Sequence, residues 1–350
     1  MARPKARRTL QEFALIRTLQ RTFGQGGPSI VQGMGDDAAV VAANPKTWYI
    51  LTTDLLAEGV HFDLRTASLE SVGYKAAMAN LSDLAAMGAT PRYCLVSLAA
   101  PSGRTENDIH QLYRGMMRAC RRHRVRLIGG DTSGSKQGLF VNLTLIGTTP
   151  RGRALFRRGA RIGDSVYVTG TLGDSRAGLS LLQEPKRKAA RQRSTRLPFS
   201  RRRMLINRHL YPTARIQEGC MLARYRLASA AIDLSDGLSG DLHHLCEQSH
   251  VGAEIELAAL PLSPACRAFA SCLNADPVQL ALSGGEDYEL LFTVPHRNQP
   301  RLEHLARVRG FRMTAIGRIT ARRTGVMVKR PDGTRRSLPS ISYEHFRRVT

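Results

Sequence analysis

The amino-acid sequence predicts a mixed α/β (α+β) protein of two domains, and three observations carry that expectation. The chain has 350 residues, more than one ordinary hydrophobic core organises. Short apolar runs alternate with longer segments of helical period, as layered sheets and helices require. Both halves, which part near residue 150, also repeat one style of junction, in which a strand meets a small residue followed by aspartate.

The elements follow in chain order. The N-terminus, MARPKARRTLQEFALIRTL, lacks the apolar block and small-residue cleavage site of a secretory signal. It reads as a basic tail leading into an amphipathic helix with Leu10, Phe13, Leu15, Ile16 and Leu19 apolar. Strands are expected at 48–53, 93–100, 125–130 and 139–148, with helices at 69–89 and 105–123. A Thr105-x-x-Asp108 capping box opens the second helix. In the second half, strands are expected at 165–170, 229–234, 253–257, 288–294 and 313–319. Helices there start near Asp174, after Ser235 and around Pro300.

Bulk composition excludes several classes. No apolar run reaches the roughly 18 to 20 residues that span a bilayer. The six cysteines, Cys94, Cys120, Cys220, Cys246, Cys266 and Cys272, form no C-x-x-C pair, so a zinc site and a disulfide framework are both disfavoured. Reduced thiols of a cytoplasmic protein are the expectation. The formal charge is +24, and nine Lys or Arg with no acid crowd into KRKAARQRSTRLPFSRRR, residues 186–203. Such a surface attracts polyanions. Without a nucleic-acid-binding motif around it, a solvated basic loop or frayed helix is expected, with nucleic acid limited to weak electrostatic contact.

The acidic junctions carry the chemistry. They are GMGDD (33–37), TTD (52–54), NLSD (80–83), GGDTS (129–133), TLGDS (171–175), DLSDG (233–237) and SGGED (283–287). Acids number only 28, so their concentration at element ends is selective. Asp83 interrupts a small and apolar helix, where an unpartnered charge costs several kcal/mol. Carboxylates gathered this way repel one another unless a cation holds them, and an all-oxygen ligand set suits magnesium or calcium. Ordinary roles compete with this. Asp36, Asp164 and Asp332 read as turn formers, and Asp174 and Asp236 could equally be helix caps. Asp54, at a strand end, and Asp83 have the weakest structural excuse. The glycines of GGDTS and TGTLGDS either shape turns or expose backbone N–H groups to phosphate beside a helix start. No G-x-x-x-x-G-K-[ST] and no nucleophile elbow occurs. The residues alone therefore indicate a multi-magnesium site for nucleotide phosphates without a Walker motif.

GMGDDAAVV, LTTDLLAEGVHF, YKAAMANLSDLAAMGATP, LIGGDTSG, GRALFRRGARIGDSVYVTGTLGDSRAGL, AIDLSDGLSGDL, ALSGGEDYELLFTV and the terminal SYEHF together resemble the thiamine-monophosphate kinase family. That family lies in the superfamily of aminoimidazole ribonucleotide synthetase, and the resemblance runs from about residue 10 to 347. It implies a two-domain synthetase-like fold. Residues 1–150 would form a dimerisation and metal/ATP-binding domain whose mixed sheet pairs across a homodimer into a barrel. Residues 151–350 would form an α/β sandwich domain, with a basic insertion at about 184–204, completing the nucleotide and substrate site.

Carried over by motif, the resemblance makes Asp37, Thr52, Thr53, Asp54, Asp83, Asp131, Asp233 and Asp236 the shell of several Mg²⁺ ions. Gly130, Asp131, Arg157 and Ser235 fall at nucleotide-contacting positions. His61, Glu286 and Tyr343 would face thiamine monophosphate, and Asp54, Asp83 and Arg157 would act in catalysis. The implied reaction moves the γ-phosphoryl group of ATP to thiamine monophosphate. A phosphate monoester acceptor is already anionic near neutral pH, so direct transfer without a strong general base or a phosphoenzyme is expected. The alternatives are another ATP-using member of the superfamily, above all the purine-pathway synthetase, a metal-dependent phosphatase, or a basic nucleic-acid-binding protein.

Overall fold

A computed structural model of the chain describes residues 12–24, 26–183, 197–341 and 343. After a first helix, α1 (Glu12–Phe23), come β1 (Ile30–Gln32), β2 (Ala39–Ala42), β3 (Thr47–Ala57), α2 (Leu69–Ala86), β4 (Thr90–Pro101), α3 (Glu106–Arg122), β5 (Arg126–Ser135) and β6 (Phe140–Pro150). The strands form one sheet in the order β1-β2-β3-β6-β4-β5. Every pair is antiparallel except β4 and β5, which α3 joins as a crossover helix. The expected capping box is present, with Thr105 accepting from the Asp108 N–H and the Asp108 carboxylate from the Thr105 N–H.

Helix α2 organises this half. Ser68 caps it by accepting from the Ser71 N–H, and 16 of its 18 residues are buried. A helix that is apolar nearly all round has to be covered on every side. The sheet covers one side, α3 another, and the second half of the chain the remainder. Contact with α3 is through backbone: a Cβ at Gly73 would stand 2.0 Å from the Leu112 carbonyl oxygen, and one at Gly115 1.8 Å from that of Glu70.

The second half comprises β7 (Ser165–Thr169), α4 (Asp174–Gln183), α5 (Phe199–Leu210), α6 (Ile216–Tyr225), β8 (Ala230–Asp233), α7 (Leu238–Ser249), β9 (Gly252–Glu256), α8 (Pro264–Leu273), α9 (Pro277–Ser283), β10 (Leu290–Val294), α10 (Gln299–Arg309), β11 (Met313–Thr320), β12 (Val326–Lys329) and β13 (Arg335–Ser337). Its strands form a second sheet, ordered β13-β12-β9-β11-β7-β10-β8. The period of two along a strand divides its faces between two cores. Val166, Val168 and Leu291 pack inside the C-terminal half, whereas Tyr167 and Phe292, stacked 5.7 Å apart, join the core that includes α2.

Three expectations are corrected. The strand expected to end near Asp54 continues to Ala57, because β6 pairs with it over its whole length. The segment GGDTS is not a turn before a helix: it is the middle of β5, paired residue for residue with β4 through Ser135. Helix α2 ends at Ala86, with Met87 as its C-cap. Of the basic run, residues 186–196 lie outside the described residues, while Arg201, Arg202 and Arg203 lie in α5. Among the described residues no helix is long and apolar enough to cross a membrane.

Candidate active site

Strand alternation decides which side chains of TTD can meet α2. Thr52, Asp54 and Leu56 share the face of β3 turned to the helix, while Tyr49, Thr53 and Leu55 share the open face. Thr52 is buried and donates its hydroxyl hydrogen bond to Asp83 Oδ2 on α2. The Thr53 hydroxyl lies instead beside Asn142 Oδ1, at 3.2 Å, and Thr144 Oγ1, at 3.1 Å, both on β6. Its side chain therefore does not join Asp83 within this chain.

Two further aspartates converge on Asp83. Asp233 ends β8 against α2, and Asp37 follows the turn that leads into β2. One carboxylate oxygen from each of Asp37, Asp83 and Asp233 lies within 4.8 Å of the other two. Asp37 Oδ1 accepts from Arg157 Nε at 3.1 Å and Nη2 at 2.5 Å. Asp36 grips the same residue by accepting from the Arg157 backbone N–H, and accepts from the Asp37 N–H as a turn former would.

Burial and mutual repulsion push these acids upward. Asp233 is raised to about 8 by burial and then by Asp37. Asp54 is raised to about 6 by the same two causes, and Asp36 to about 7. Asp83 is raised well above the usual range by burial, then by Asp54, Asp233 and Asp37. Burial raises Asp37 too, although Arg157 opposes it. Burial works against the Arg157 charge, but Asp37 holds the guanidinium protonated. The donor set fits a hard cation: it is all oxygen, and Asp37 Oδ2 and Asp233 Oδ2 are buried with no hydrogen-bond partner.

These shifts have a measurable sign. Groups whose folded values are raised stabilise the fold at low pH and lose that contribution as pH rises through the raised values. In EDTA, the contribution of this cluster is expected to fall as pH rises from the ordinary carboxylate range through about 8, where Asp233 titrates. Mg²⁺ should therefore raise the melting temperature far more at pH 8 than at pH 5. An equal shift at both pH values would refute the cation-binding role of the cluster.

A second group of predicted residues gathers beside this one. The Glu286 N–H donates to the Ser235 carbonyl at 2.7 Å and the Tyr343 N–H to that of Asp236 at 3.4 Å. Burial raises the Tyr343 phenol, aided by Glu12, Glu286 and Asp236. Burial alone would raise Glu286, but Lys75, then His209 and His61, hold it below the usual carboxylate range. His61 Nδ1 also accepts from the Ala57 N–H at 3.0 Å, which fixes the turn after β3. Asp236 is raised to about 6 by burial and Glu12. Asp236 does not cap α7: the N-cap is Gly237, and Asp241 in the first turn accepts from the Asp236 and Gly237 N–H groups.

Gly130 and Asp131 stand apart. In register, Asp131 pairs with Ser97, Ser97 with Asn142, and Asn142 with Leu55. Three strand spacings therefore separate Asp131 from β3, about 14 Å along the sheet. It is exposed on the edge strand, on the open face with Leu55 and Thr53. Sequence reasoning missed Lys75, His209 and Asp241. Lys75 carried the same signal as Asp83, a charge inside a helix of mostly small and apolar residues, and Asp241 follows Asp236 of DLSDG by five residues.

Known proteins share this arrangement over nearly the whole chain. The AIR synthase related protein family matches through its N-terminal domain over residues 35–149 and its C-terminal domain over residues 161–329. The thiamine-monophosphate kinase of Escherichia coli (strain K12) is 40% identical over 337 residues, 96% of this chain and 98% of that protein. The enzyme of the same name from Aquifex aeolicus is 40% identical over 311 residues, 89% of this chain and 92% of its own length. The solved structure of AaThiL complexed with AMPPCP and TMP superposes with a TM-score of 0.81 at 37% identity, covering 99% of both chains. Likeness of this extent, spanning both sheets and every acidic junction, makes the chain a member of the thiamine-monophosphate kinase family.

Proposed function

We infer that this protein transfers the γ-phosphoryl group of ATP to thiamine monophosphate, giving thiamine diphosphate and ADP by direct in-line displacement. The observation that carries the inference is the convergence of Asp37, Asp83 and Asp233, two of them with an unpartnered buried oxygen, beside Arg157. The relatives' name and the AMPPCP and TMP bound to AaThiL support the same substrates, with TMP read as thiamine monophosphate.

In this reading Asp37, Thr52, Asp54, Asp83, Asp233 and Asp236 hold Mg²⁺. The metal supplies neutralisation of the polyphosphate charge when bound. Arg157, kept charged by Asp37, orients the ATP phosphates and opposes charge building on the transferred group. Ser235 contacts the nucleotide. His61, Glu286 and Tyr343 bind the acceptor, whose phosphate needs no strong base to attack.

The reading includes a homodimer. The open face of the first sheet exposes Tyr49, Leu55, Tyr93 and Phe140, with Ile128 on the edge strand beside them. A second copy docked there would cover Thr53 and Asp131, and so give the metal and nucleotide roles of Thr53, Gly130 and Asp131 a place. Leu55→Glu is expected to convert the dimer to monomer in analytical ultracentrifugation. An unchanged sedimentation coefficient would remove this face as the interface. The division into domains at about residue 150 belongs to the same reading, as does a cytoplasmic setting, which the six free cysteines support.

The test is a chromatographic assay with ATP and Mg²⁺, with and without thiamine monophosphate. Thiamine diphosphate should form only when acceptor and metal are both present. Release of inorganic phosphate without the acceptor would favour a phosphatase, and label from γ-labelled ATP retained on the protein would overturn direct transfer.

A further inference from the structure

Lys75 is 4% exposed, on a helix whose neighbouring positions are alanine and tyrosine. A buried ammonium is costly unless every proton finds a partner. Lys75 Nζ lies 2.7 Å from Glu286 Oε1 and 3.3 Å from His209 Nε2. An ammonium only donates, so His209 Nε2 has to accept and the imidazole proton sits on Nδ1. That Nδ1 lies 3.4 Å from Glu286 Oε2 and 3.1 Å from Ser175 Oγ. Glu286 Oε1 thus pairs with the ammonium from α2, while Oε2 lies against the imidazole from α5, whose Nδ1–H is held by the Ser175 hydroxyl.

Glu286 itself has φ +63°, a left-handed conformation that residues with a Cβ seldom adopt. Its backbone is held there by the Ser235 carbonyl. The side chain is 28% exposed, whereas those of Lys75 and His209 are 5% and 7% exposed. The clamp lies behind the carboxylate, and the carboxylate keeps an open edge.

We propose that Lys75 and His209 are positioning residues that lock the orientation of the Glu286 carboxylate, so that it presents a fixed anion to the cationic organic half of the phosphorylated acceptor. The proposal rests on the placement of Glu286 at the acceptor given above. A carboxylate would repel the acceptor's phosphate, so the complementary group is the quaternary thiazolium and the ring N–H donors beside it. Lys75 also defines the imidazole: burial first, then the Lys75 charge, lowers His209 to about 4, with Arg176 acting in the same direction and Glu286 against it. His209 is consequently a neutral ring at working pH, with its proton on Nδ1, toward the Ser175 hydroxyl and beside the carboxylate.

The experiment compares His209→Leu and His209→Asn with wild type in the full chain with ATP and Mg²⁺, and records the ¹⁵N spectrum of the His209 ring. The leucine variant is expected to raise KM for thiamine monophosphate about 10-fold, through loss of the polar ring that holds Lys75 and backs the carboxylate, with KM for ATP and kcat little changed. Asparagine, which can place an N–H where Nδ1–H stands, should recover most of that loss. The spectrum should show Nδ1 protonated and Nε2 bare. Lys75→Met should raise the same KM at least as much, and if it does not fold, the His209 pair decides. An unchanged acceptor KM in His209→Leu, an equal rise for both substrates, or a proton on Nε2 would overturn the proposal. If wild type makes no thiamine diphosphate, the functional reading and the acceptor half of this proposal fall together, and the ring spectrum still decides whether the clamp exists.

Discussion

Asp83→Asn is expected to lower phosphoryl transfer by about 10³-fold or more while making the metal-free protein more stable. The carboxylate is surrounded by Asp54, Asp233 and Asp37, each of which raises it further beyond what burial does. An amide keeps the shape and an oxygen for the Thr52 hydroxyl, and removes a charge from a crowd of like charges. In EDTA at pH 8 the variant should melt above wild type, and at pH 5, where the raised acids are largely protonated, the advantage should shrink. Added Mg²⁺ should recover less stability in the variant than in wild type. Turnover within tenfold of wild type, or a lower melting temperature at pH 8, would mean that Asp83 is not part of a cation site.

Arg157→Met should lower turnover by a similar factor, about 10²- to 10³-fold, yet change stability in the opposite direction. Arg157 gives two hydrogen bonds to Asp37 Oδ1, and its backbone N–H is taken by Asp36. Removing one partner of a buried pair costs about 3 to 5 kcal/mol, because the remaining charge stays uncompensated. In EDTA the variant should melt well below wild type. Lysine should restore little, since a single ammonium cannot reproduce the paired Nε and Nη2 contacts. A variant as stable as wild type would show that Asp37 is already neutral, and that the pair contributes nothing to holding the loop.

Asp83 was legible because charge conflicts with its setting: no surface role fits a carboxylate between Leu81 and Leu84 on a buried helix. The long helices and central strands were legible from their period, and the Thr105–Asp108 cap from local chemistry. What was not legible depended on pairing. Residues 129–135 carry glycine, serine and aspartate, poor strand formers, and become strand only because β4 supplies a partner for each. The short strands β1, β2, β12 and β13, at or next to a sheet edge, escape notice for the same reason. The sequence TTD names two threonines but cannot say which turns inward; that follows from the register of β3 on β6. His209 comes to Glu286 across 77 positions of chain, and no local pattern announces the contact.

Helix α2 carries both Lys75 and Asp83, eight residues apart, about 12 Å along one axis. Under the proposed function, one rigid rod therefore acts as the gauge that sets the gap between the group steadying the acceptor and the group holding the donor's counter-charge. Any rocking of the two halves against each other carries both marks of the gauge together. On that reading the spacing of the two substrates is built into about two turns of helix, and a single residue inserted between Ala76 and Ser82 would swing one mark by about 100° away from the other. Such an insertion would uncouple donor from acceptor without touching either binding group.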